Sequence, residues 1–437
     1  MLHPLPYPST EAELRLRKIA ERKPGADPAV SRQVEEILDR VRRHGDTALL
    51  EYTRSFDAPG ITSENLTVGE HELAEAYDKV DGDFREILRN AVANIESFHK
   101  HQVRSSYFST NPDGTFLGQI VRPVASAGLY IPGGKGGETP LVSSVLMNGI
   151  PARIAGVPDL AMVTPPRRDG SINPYLLVAA QEVGISRIHK IGSAWAIAAL
   201  AFGTERVRRV DMIVGPGNVY VALAKKMVSG EVGIDLLAGP SEILVIADEK
   251  ADAACIAADL LSQAEHDSMA SAVCVTTDES VATKTCQCLL EQIKRLPRQK
   301  TAWESLESFG AVFVVAEMEE ALELANRIAP EHLELQVRDP WSLVGKIENA
   351  GAVFLGDWTP EALGDYFAGP NHVLPTSGTA RFASALGVDN FLKRTSIVAY
   401  SKTAMERDAR AVMRMAELEG LEAHAASVRL RLTRNEI

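Results

Sequence analysis

Apolar residues recur at intervals of three and four over the first hundred residues of the chain. In residues 30–45 they fall at positions 30, 34, 37, 38 and 41, and Gly45 follows them. This period predicts a helix that ends at Gly45. Residues 84–103 repeat the period and predict another helix, at whose end we expect His99 and His101 to lie on the surface.

From about residue 120 the pattern changes to short apolar runs that alternate with helical stretches. The predicted strands are residues 124–134, 159–164, 187–192 and 210–218 in a first series, and 242–248, 271–278, 310–317 and 351–357 in a second. Repeated strand–helix units predict an α/β fold with two Rossmann-like units, each built on a parallel sheet. The N-terminal region and the stretch beyond about residue 385 are predicted to be helical.

The composition of the chain is that of an acidic globular protein. Of its 437 residues, 45% are hydrophobic and 24% are charged. That length is enough for two or three domains with cores of their own. The formal net charge of −12 argues against partners such as nucleic acid or an anionic membrane.

Neither a targeting segment nor a membrane span is predicted. The first residues lack an apolar core flanked by basic residues. The longest apolar runs, such as residues 196–202, are far too short to cross a bilayer. The chain has four cysteines, which we expect to be reduced and mostly buried: Cys255, Cys274, Cys286 and Cys288. These features predict a cytoplasmic protein.

Three glycine-containing turns follow predicted strands of the first series, at residues 130–140, 190–196 and 214–220. Backbone N–H groups at such turns can hold the pyrophosphate of a dinucleotide. Each turn alone could be an ordinary tight turn. Three of them in one α/β unit favour a ligand crevice, although they do not identify the ligand.

Polar residues of the second series form pairs that suit catalysis. Gln263 and His266 are three apart on a predicted helix and share a face, and both types can bind zinc, although a helix end capped by a histidine would look the same. Glu331 and His332 are adjacent and could supply two proton-transfer groups, or could simply mark a turn from helix to strand.

Two further segments each carry an acidic residue and a histidine. Asp365 and His372 lie in a predicted loop rich in glycine and proline, which suggests a functional surface. Glu419 and His424 lie in the C-terminal helical stretch, where surface residues are the common case. Each of these four segments carries one histidine. This suggests, but does not prove, that the four segments meet at one site.

Together these segments resemble the histidinol dehydrogenase family. The resemblance runs from about residue 25 to the end and rests on long motifs in the same order: VGPGN, GIDLLAGPSEILVIAD, DLLSQAEHD, APEHLEL, GDYFAGPNHVLPTSGTARF and EGLEAHAAS. It implies a four-electron oxidation of L-histidinol through L-histidinal to L-histidine, the last two steps of histidine biosynthesis, with two NAD⁺ and one water. The substrate is therefore expected to be L-histidinol.

The resemblance also implies one zinc ion in each subunit of a homodimer with shared active sites. The ligands would be Gln263, His266 and Asp365, with His424 of the partner subunit. Nitrogen atoms of the substrate would complete the coordination, so that the metal would orient the substrate.

The remaining site residues are implied in the same way. His332 would be the general base and Glu331 would activate the water that attacks histidinal; an unperturbed imidazole, with a pKa of about 6.5, suits that role. NAD would contact Tyr130 and Asn218. The substrate-binding positions would be Ser241, Gln263, His266, His332, Asp365, His372, Glu419 and His424.

One position departs from the family pattern. In GSAWAIAAL, Trp195 stands where the family often has a glutamine whose amide contacts the dinucleotide. An indole cannot accept that hydrogen bond, although it could stack on the cofactor. The resemblance therefore implies no hydrogen bond between Trp195 and the dinucleotide.

The resemblance and the two strand series together predict the domain organisation. Residues 1–25 would form an N-terminal extension, and residues 26–125 with 240–384 a discontinuous α/β domain on the metal and catalytic side. Residues 126–239 would form the α/β domain on the NAD side. Residues 385–437 would form a helical tail that reaches the partner subunit.

Three alternatives are weighed against this assignment. A paralogue could oxidise another polyol or amino alcohol with the same zinc and NAD, but His372 and Glu419 match positions on the substrate side. An aldehyde dehydrogenase would need an activated cysteine in a catalytic loop, and the cysteines fall in predicted helices and a strand. A non-enzymatic binding protein would not need Glu331 and His332 beside metal-type ligands.

Overall fold

The computed structural model of the chain describes residues 2–22, 28–237 and 239–433. Its strands, in chain order, are β1 (Pro4–Pro6), β2 (Tyr107–Thr110), β3 (Phe116–Pro123), β4 (Ser126–Tyr130), β5 (Asp159–Thr164), β6 (Arg187–Lys190), β7 (Met212–Val214), β8 (Gly233–Ile234), β9 (Glu242–Ala247), β10 (Ser271–Thr276), β11 (Ala311–Val314), β12 (His332–Gln336), β13 (Ala352–Leu355) and β14 (Leu392–Ala399).

The helices alternate with these strands through most of the chain. They are α1 (Thr10–Ala20), α2 (Pro28–Phe56), α3 (Glu70–Lys79), α4 (Gly82–Lys100), α5 (Val142–Ala155), α6 (Pro174–Val183), α7 (Ser193–Phe202), α8 (Val219–Val228), α9 (Ala253–Ala264), α10 (Glu279–Gln292), α11 (Gln299–Phe309), α12 (Met318–Ile328), α13 (Glu361–Tyr366), α14 (Lys402–Leu418) and α15 (Glu422–Thr433). None of the described helices is long and apolar enough to cross a membrane.

The first strand series forms a parallel five-stranded sheet in the order β6-β5-β4-β7-β8. The chain runs from β4 outwards to β6, then returns to the other side of β4 with β7. The strand order therefore reverses between β4 and β7. A crevice opens at such a reversal, outside the carboxyl ends of the strands, and is where α/β sheets bind ligands.

The second series forms a parallel six-stranded sheet in the order β1-β11-β10-β9-β12-β13. Its central strands β9 and β10 are buried along their whole length, which explains why they are apolar runs without alternation. The predicted α/β class with two parallel sheets is confirmed. The edge strand β1 comes from the predicted N-terminal extension.

One N-terminal helix breaks where it is predicted to end. Within Pro28–Phe56, Gly45 has φ 50° and ψ −132°, which is not helical, so the first helix ends there and a second one continues to Phe56 after the kink. A Cβ atom at Gly45 would lie 2.4 Å from the Glu205 carboxylate, which also accepts a hydrogen bond from Asp46 N–H. The expected surface position of His99 was wrong, because this imidazole is buried and bonds through Nδ1 to the Gln102 side chain at 2.8 Å. His101 is exposed, as predicted.

A second compact unit, residues 103–124 and 392–437, contains an antiparallel sheet in the order β14-β3-β2 and the helices α14 and α15. The sequence pattern did not predict these strands. They are exposed or half-buried throughout, so they carry no apolar run or clear alternation. The prediction of a purely helical tail was therefore wrong for residues 392–399. The predicted domain boundaries stay a prediction.

Candidate active site

The two parallel sheets face one cavity of about 300 Å³. The five-stranded sheet contributes the turns after its carboxyl ends, including Pro132 and Asn218. The six-stranded sheet contributes residues at the amino ends of β9 and β12. The cavity is lined by these predicted site residues: Asn218, Ser241, Gln263, His266, Glu331, His332, Asp365 and His372. The structure therefore brings together most of the residues that the sequence singled out.

Three predicted residues lie elsewhere. Tyr130 is buried at the end of β4 and does not line this cavity. Glu419 ends α14 and His424 lies in α15, so both belong to the second compact unit, where they are exposed.

His332 begins strand β12, and its ring is held in one orientation. Nδ1 lies 2.9 Å from the backbone carbonyl oxygen of Glu242. A carbonyl oxygen can only accept, so Nδ1 carries the proton and donates it there. Nε2 is buried without a hydrogen-bond partner and lies 3.7 Å from the Asp365 carboxylate and 3.8 Å from that of Glu361. The free Nε2 atom is thus aimed at the acidic side of the cavity.

Carboxylates dominate the electrostatics around this ring. Burial alone would lower the pKa of His332, but the charges of Glu331, Asp365 and Glu361 outweigh it and raise that pKa to about 10. Burial would raise the pKa of Asp365, yet the imidazoles of His332 and His372 lower it overall. The surrounding carboxylates therefore raise the pKa of His332 above the 6.5 of an unperturbed imidazole.

Glu331 occupies a fully buried position just before β12. Its carboxylate accepts a hydrogen bond from Glu242 N–H at 2.9 Å, and the Glu242 carboxylate accepts one from Glu331 N–H at 3.3 Å. Arg22, just beyond α1, forms a buried ion pair with Glu242 at 2.6 Å. Burial raises the pKa of Glu331 to about 8, although the charge of His332 opposes this. The environment of Glu331 therefore favours the protonated carboxyl more than water does.

Glu361 is a site residue that the sequence analysis missed. It is buried at the start of α13, one helical turn before Asp365, and its carboxylate accepts a hydrogen bond from the Ser262 hydroxyl at 3.0 Å. Burial raises its pKa to about 7. The helical spacing of the two acids in TPEALGDY was the available signal. It was not used because the segment was taken for a loop, whereas Asp365 lies in α13.

Two overlapping groups of side chains could hold a metal ion. His332, Glu361 and Asp365 offer ligand atoms within 4.8 Å of one another. The second group includes Gln263, at the end of α9, whose buried Oε1 atom has no hydrogen-bond donor. His266 follows α9 rather than lying in it, and burial lowers the pKa of its imidazole, which favours the neutral ligand form. Asp365 is common to both groups.

His372 lies in an ordered loop, as predicted. Its neighbour Asn371 donates a hydrogen bond through Nδ2 to the carbonyl of Met147 in α5 at 2.6 Å, and accepts one from Val373 N–H. Burial lowers the pKa of His372, and its Nε2 atom is buried without a partner. The loop therefore presents to the cavity an imidazole whose neutral form is favoured by burial.

The turn after β7 is held by a buried ion pair. Lys225 and Asp235 form a close ion pair, and both side chains are almost fully buried. Lys225 Nζ donates to the carbonyl of Gly215 at 2.9 Å, and the Asp235 carboxylate accepts from Gly215 N–H at 2.8 Å. Gly215 has φ 115°, and a Cβ atom there would lie 2.2 Å from the Tyr130 carbonyl oxygen. Only glycine fits at this position.

Asn218 and Tyr130 are both engaged in local hydrogen bonds. The Asn218 side-chain oxygen caps α8 by accepting from Tyr220 N–H and Val221 N–H, which leaves its amide N–H₂ group for a ligand. The Tyr130 hydroxyl accepts from Ser193 N–H at the start of α7 at 3.1 Å.

Trp195, in the first turn of α7, is only 5% exposed. The rings of Tyr52 and Phe56 stack on it with centroid distances of 5.6 Å each. The indole of Trp195 is therefore packed against α2, and its part in cofactor binding stays a prediction.

The cysteines do not support thiolate chemistry. Cys255, Cys286 and Cys288 lie in helices and Cys274 in a strand, as predicted, and none lines the cavity. The pKa of every one is raised, above all by burial. Only Cys274 and Cys286 are buried, so the expectation of mostly buried cysteines held for two of four.

Comparison with known proteins gives concordant matches over nearly the whole chain. Residues 20–432 match the family model described as histidinol dehydrogenase. Histidinol dehydrogenase of Desulfotalea psychrophila is 54% identical, across 99% of this chain and 100% of that protein. That of Nitratidesulfovibrio vulgaris is 55% identical, across 92% of each. The crystal structure of histidinol dehydrogenase from Elizabethkingia anophelis superposes with a TM-score of 0.92 at 35% identity, covering 100% of this chain and 99% of that one.

Proposed function

This chain belongs to the histidinol dehydrogenase family of oxidoreductases, and we propose that it oxidises L-histidinol through L-histidinal to L-histidine with zinc and two NAD⁺. The observation that carries the proposal is the single cavity that contains Gln263, His266, Glu331, His332 and Asp365. The chain would act in the cytoplasm in histidine biosynthesis.

The donor atoms around the cavity fit a zinc ion. Gln263 offers a buried, unpartnered oxygen, His266 a neutral imidazole and Asp365 a carboxylate, with His424 of the partner subunit as the remaining proposed ligand. Amide oxygen, imidazole and carboxylate are all ligand types that zinc accepts. When bound, the metal would orient the nitrogen donors of the substrate. A divalent cation would also offset the surplus of carboxylates around His332.

His332 would take the alcohol proton in the first oxidation. Its Nδ1–H donates to the Glu242 carbonyl, so Nε2 is the atom that can accept. Once a cation offsets the charge of Asp365 and Glu361, the pKa of His332 would fall towards the range in which an imidazole serves as a base. NAD⁺ would accept the hydride in each oxidation.

Glu331 would take a proton from the water that adds to L-histidinal. Its raised pKa, about 8, makes the carboxylate a stronger base than an exposed glutamate once it is ionised. Its hydrogen bond from Glu242 N–H fixes one carboxylate oxygen and leaves the other for water. Ser241 and His372 line the same cavity and would contact the substrate.

A homodimer with shared sites is part of the proposal. The second compact unit exposes large apolar side chains on α14 and around the turn to α15: Val412, Met415, Leu418 and Leu421. Apolar side chains grouped on one element commonly mark a protein–protein contact. Glu419 and His424 lie in this same segment, and a contact with a second copy would let them reach the partner's cavity.

A substrate panel tests the proposal. NADH formation is followed with L-histidinol and with a series of polyols and amino alcohols, before and after dialysis against a chelator. We expect turnover of L-histidinol alone, its loss on dialysis and its return with added zinc. Equal turnover of another alcohol would favour the paralogue, and full activity in metal-free protein would contradict the metal assignment.

A further inference from the structure

Arg22 is a buried cation in the N-terminal segment, just beyond α1. Its side chain is fully buried, and its Nη2 atom forms an ion pair with Oε1 of Glu242 at 2.6 Å and reaches the carbonyl of Pro240 at 3.5 Å. The guanidinium also lies over the ring of Phe309 in α11, 5.5 Å from its centroid. Its Nε and Nη1 atoms are buried without hydrogen-bond partners among the residues that the structure describes. The main polar partner of this cation is therefore the Glu242 carboxylate.

Stability alone does not account for this ion pair. Removing two charges from water costs free energy that one ion contact does not fully return. Each buried N–H group without an acceptor adds a desolvation penalty of its own. An apolar residue of similar size in place of Arg22 would avoid both costs if the carboxylate were replaced as well. The ion pair is therefore better explained by what the Glu242 carboxylate does.

Glu242 joins Arg22 to both proposed proton-transfer groups. The Oε2 atom of Glu242 accepts from Glu331 N–H at 3.3 Å, and the N–H of Glu242 donates to the Glu331 carboxylate at 2.9 Å. The backbone carbonyl of Glu242 accepts from His332 Nδ1 at 2.9 Å. The two carboxylate oxygens of Glu242 thus have different partners, Arg22 for Oε1 and Glu331 for Oε2. Because a carboxylate is planar and rigid, the contact with Arg22 fixes the oxygen that faces Glu331.

Glu331 and His332 depend on Arg22 to different degrees. Burial lowers the pKa of Arg22, and the carboxylates of Glu242 and Glu331 oppose that effect, so the charge of Arg22 attracts both of them. The hydrogen bond of His332 goes instead to a backbone carbonyl, and the pairing of β9 with β12 also holds that carbonyl in place. Loss of Arg22 should therefore disturb Glu331 more than His332.

We propose that Arg22 is a positioning residue for the second oxidation: through Glu242 it holds the Glu331 carboxylate where it takes a proton from the water that adds to L-histidinal. The inference rests on the proposed function, in which Glu331 serves the addition of water and His332 serves both oxidations. It gives the N-terminal segment a direct part in the site. The contact uses one nitrogen of the guanidinium, so the point charge of a lysine could replace it, whereas an apolar residue could not.

L-histidinal provides the test, because this one substrate reports on both roles. With NAD⁺ and water it yields L-histidine, which requires Glu331, and with NADH it yields L-histidinol, which does not. In Arg22→Met the rate with NAD⁺ should fall at least about tenfold, a part of the 10² to 10⁴ that a general base contributes. The rate with NADH and KM for L-histidinal should stay near their wild-type values. Arg22→Lys should recover most of the rate with NAD⁺. Equal losses in both directions, or no loss, would overturn the proposal.

Arg15→Met is the matched control for the docking of α1. Arg15 lies in that helix, and its guanidinium donates to the carbonyls of Glu307 and Ser308, so the variant should leave the ratio of the two rates unchanged. A change as large as in Arg22→Met would assign the effect to the helix and overturn the proposal. If Arg22→Met does not fold, its combination with Glu242→Gln leaves no unpaired buried charge and should show the same selective loss.

A crystal structure of Arg22→Met separates this inference from the proposed function. The Glu331 carboxylate should move away from Glu242 N–H, a displacement that does not depend on turnover. An unmoved carboxylate would overturn the positioning role. If the wild type turns over neither L-histidinol nor L-histidinal while Glu331 moves in the variant, the proposed function fails and the positioning of Glu331 by Arg22 stands.

Discussion

The imidazole of His332 donates through Nδ1 to the backbone carbonyl of Glu242 at 2.9 Å. Strand β9, which begins at Glu242, and strand β12, which begins at His332, are neighbours in the six-stranded sheet. The bond therefore ties the tautomer and orientation of the proposed base to the register of two central strands. The adjacent Glu331 is tied to the same residue through Glu242 N–H.

Separate assays of the two oxidations should distinguish the roles of these neighbours. His332→Ala should slow the oxidation of both L-histidinol and L-histidinal by about 10² to 10⁴, the usual contribution of a general base. Glu331→Gln keeps an acceptor for Glu242 N–H and should mainly slow L-histidinal oxidation. Stopped-flow measurement of NADH with each substrate gives the two rates. Equal losses from both variants in both steps would contradict the division of roles.

Subunit mixing should reveal whether the tail crosses between subunits. His266→Ala and His424→Ala proteins are each expected to be inactive. In their mixed dimer, one site would combine an intact cavity with an intact tail, so partial activity should return. The matched control mixes His266→Ala with Gln263→Ala, where every cavity is defective and no activity should return. No recovery in the first mixture, with subunit exchange demonstrated by mass, would indicate a self-contained site.

The buried pair of Lys225 and Asp235 should control the turn at Gly215. Lys225→Met leaves the Asp235 charge buried and unpaired, which should lower the free energy of unfolding by about 3–5 kcal/mol. KM for NAD should rise, because the turn carries Asn218, while KM for L-histidinol should stay near its wild-type value. Urea unfolding and initial rates provide both quantities. Lys226→Met, at the exposed neighbouring position, should alter neither, and a similar effect from both variants would rule out the proposed role of the ion pair.

Glu334 in β12 should make stability depend on pH. Burial and the carboxylate of Asp259 raise the pKa of Glu334 from 4.5 to about 8. The folded protein thus holds this proton more tightly than the unfolded chain, so the contribution of Glu334 to stability is complete below about pH 4.5 and is lost as the pH rises towards 8. Glu334→Gln should flatten that part of the profile of unfolding free energy against pH, measured by urea denaturation. Glu323→Gln, at an exposed position of α12, should retain the wild-type slope; an unchanged slope in Glu334→Gln would contradict the assignment.

The α/β frame could be predicted because buried parallel strands are continuous apolar runs. β9 and β10 are of this kind, and the glycine turns after β4 and β7 lie where a ligand crevice was expected. β2 could not be recognised, because all four of its residues are exposed. A strand without a buried face needs no alternation of apolar and polar residues.

Site residues that are close together in the sequence could be predicted from local motifs. Site residues that are far apart in the sequence, and that only folding brings together, could not. Glu331 with His332, and Gln263 with His266, stand within single motifs. Arg22 reaches Glu242 across 220 positions, and no local spacing signals such an ion pair. The burial that shifts the pKa of His332 likewise depends on the packing of separate strands and helices, and it cannot be deduced from the local sequence.

The number of NADH molecules formed per L-histidinol tests the central claim most directly. The substrate is supplied in limiting amount with excess NAD⁺ and zinc-loaded enzyme, and NADH is measured by absorbance until the reaction stops. Two successive oxidations in one cavity predict about two NADH for each L-histidinol, with L-histidine as the product. A value of one, with L-histidinal accumulating, would contradict the account.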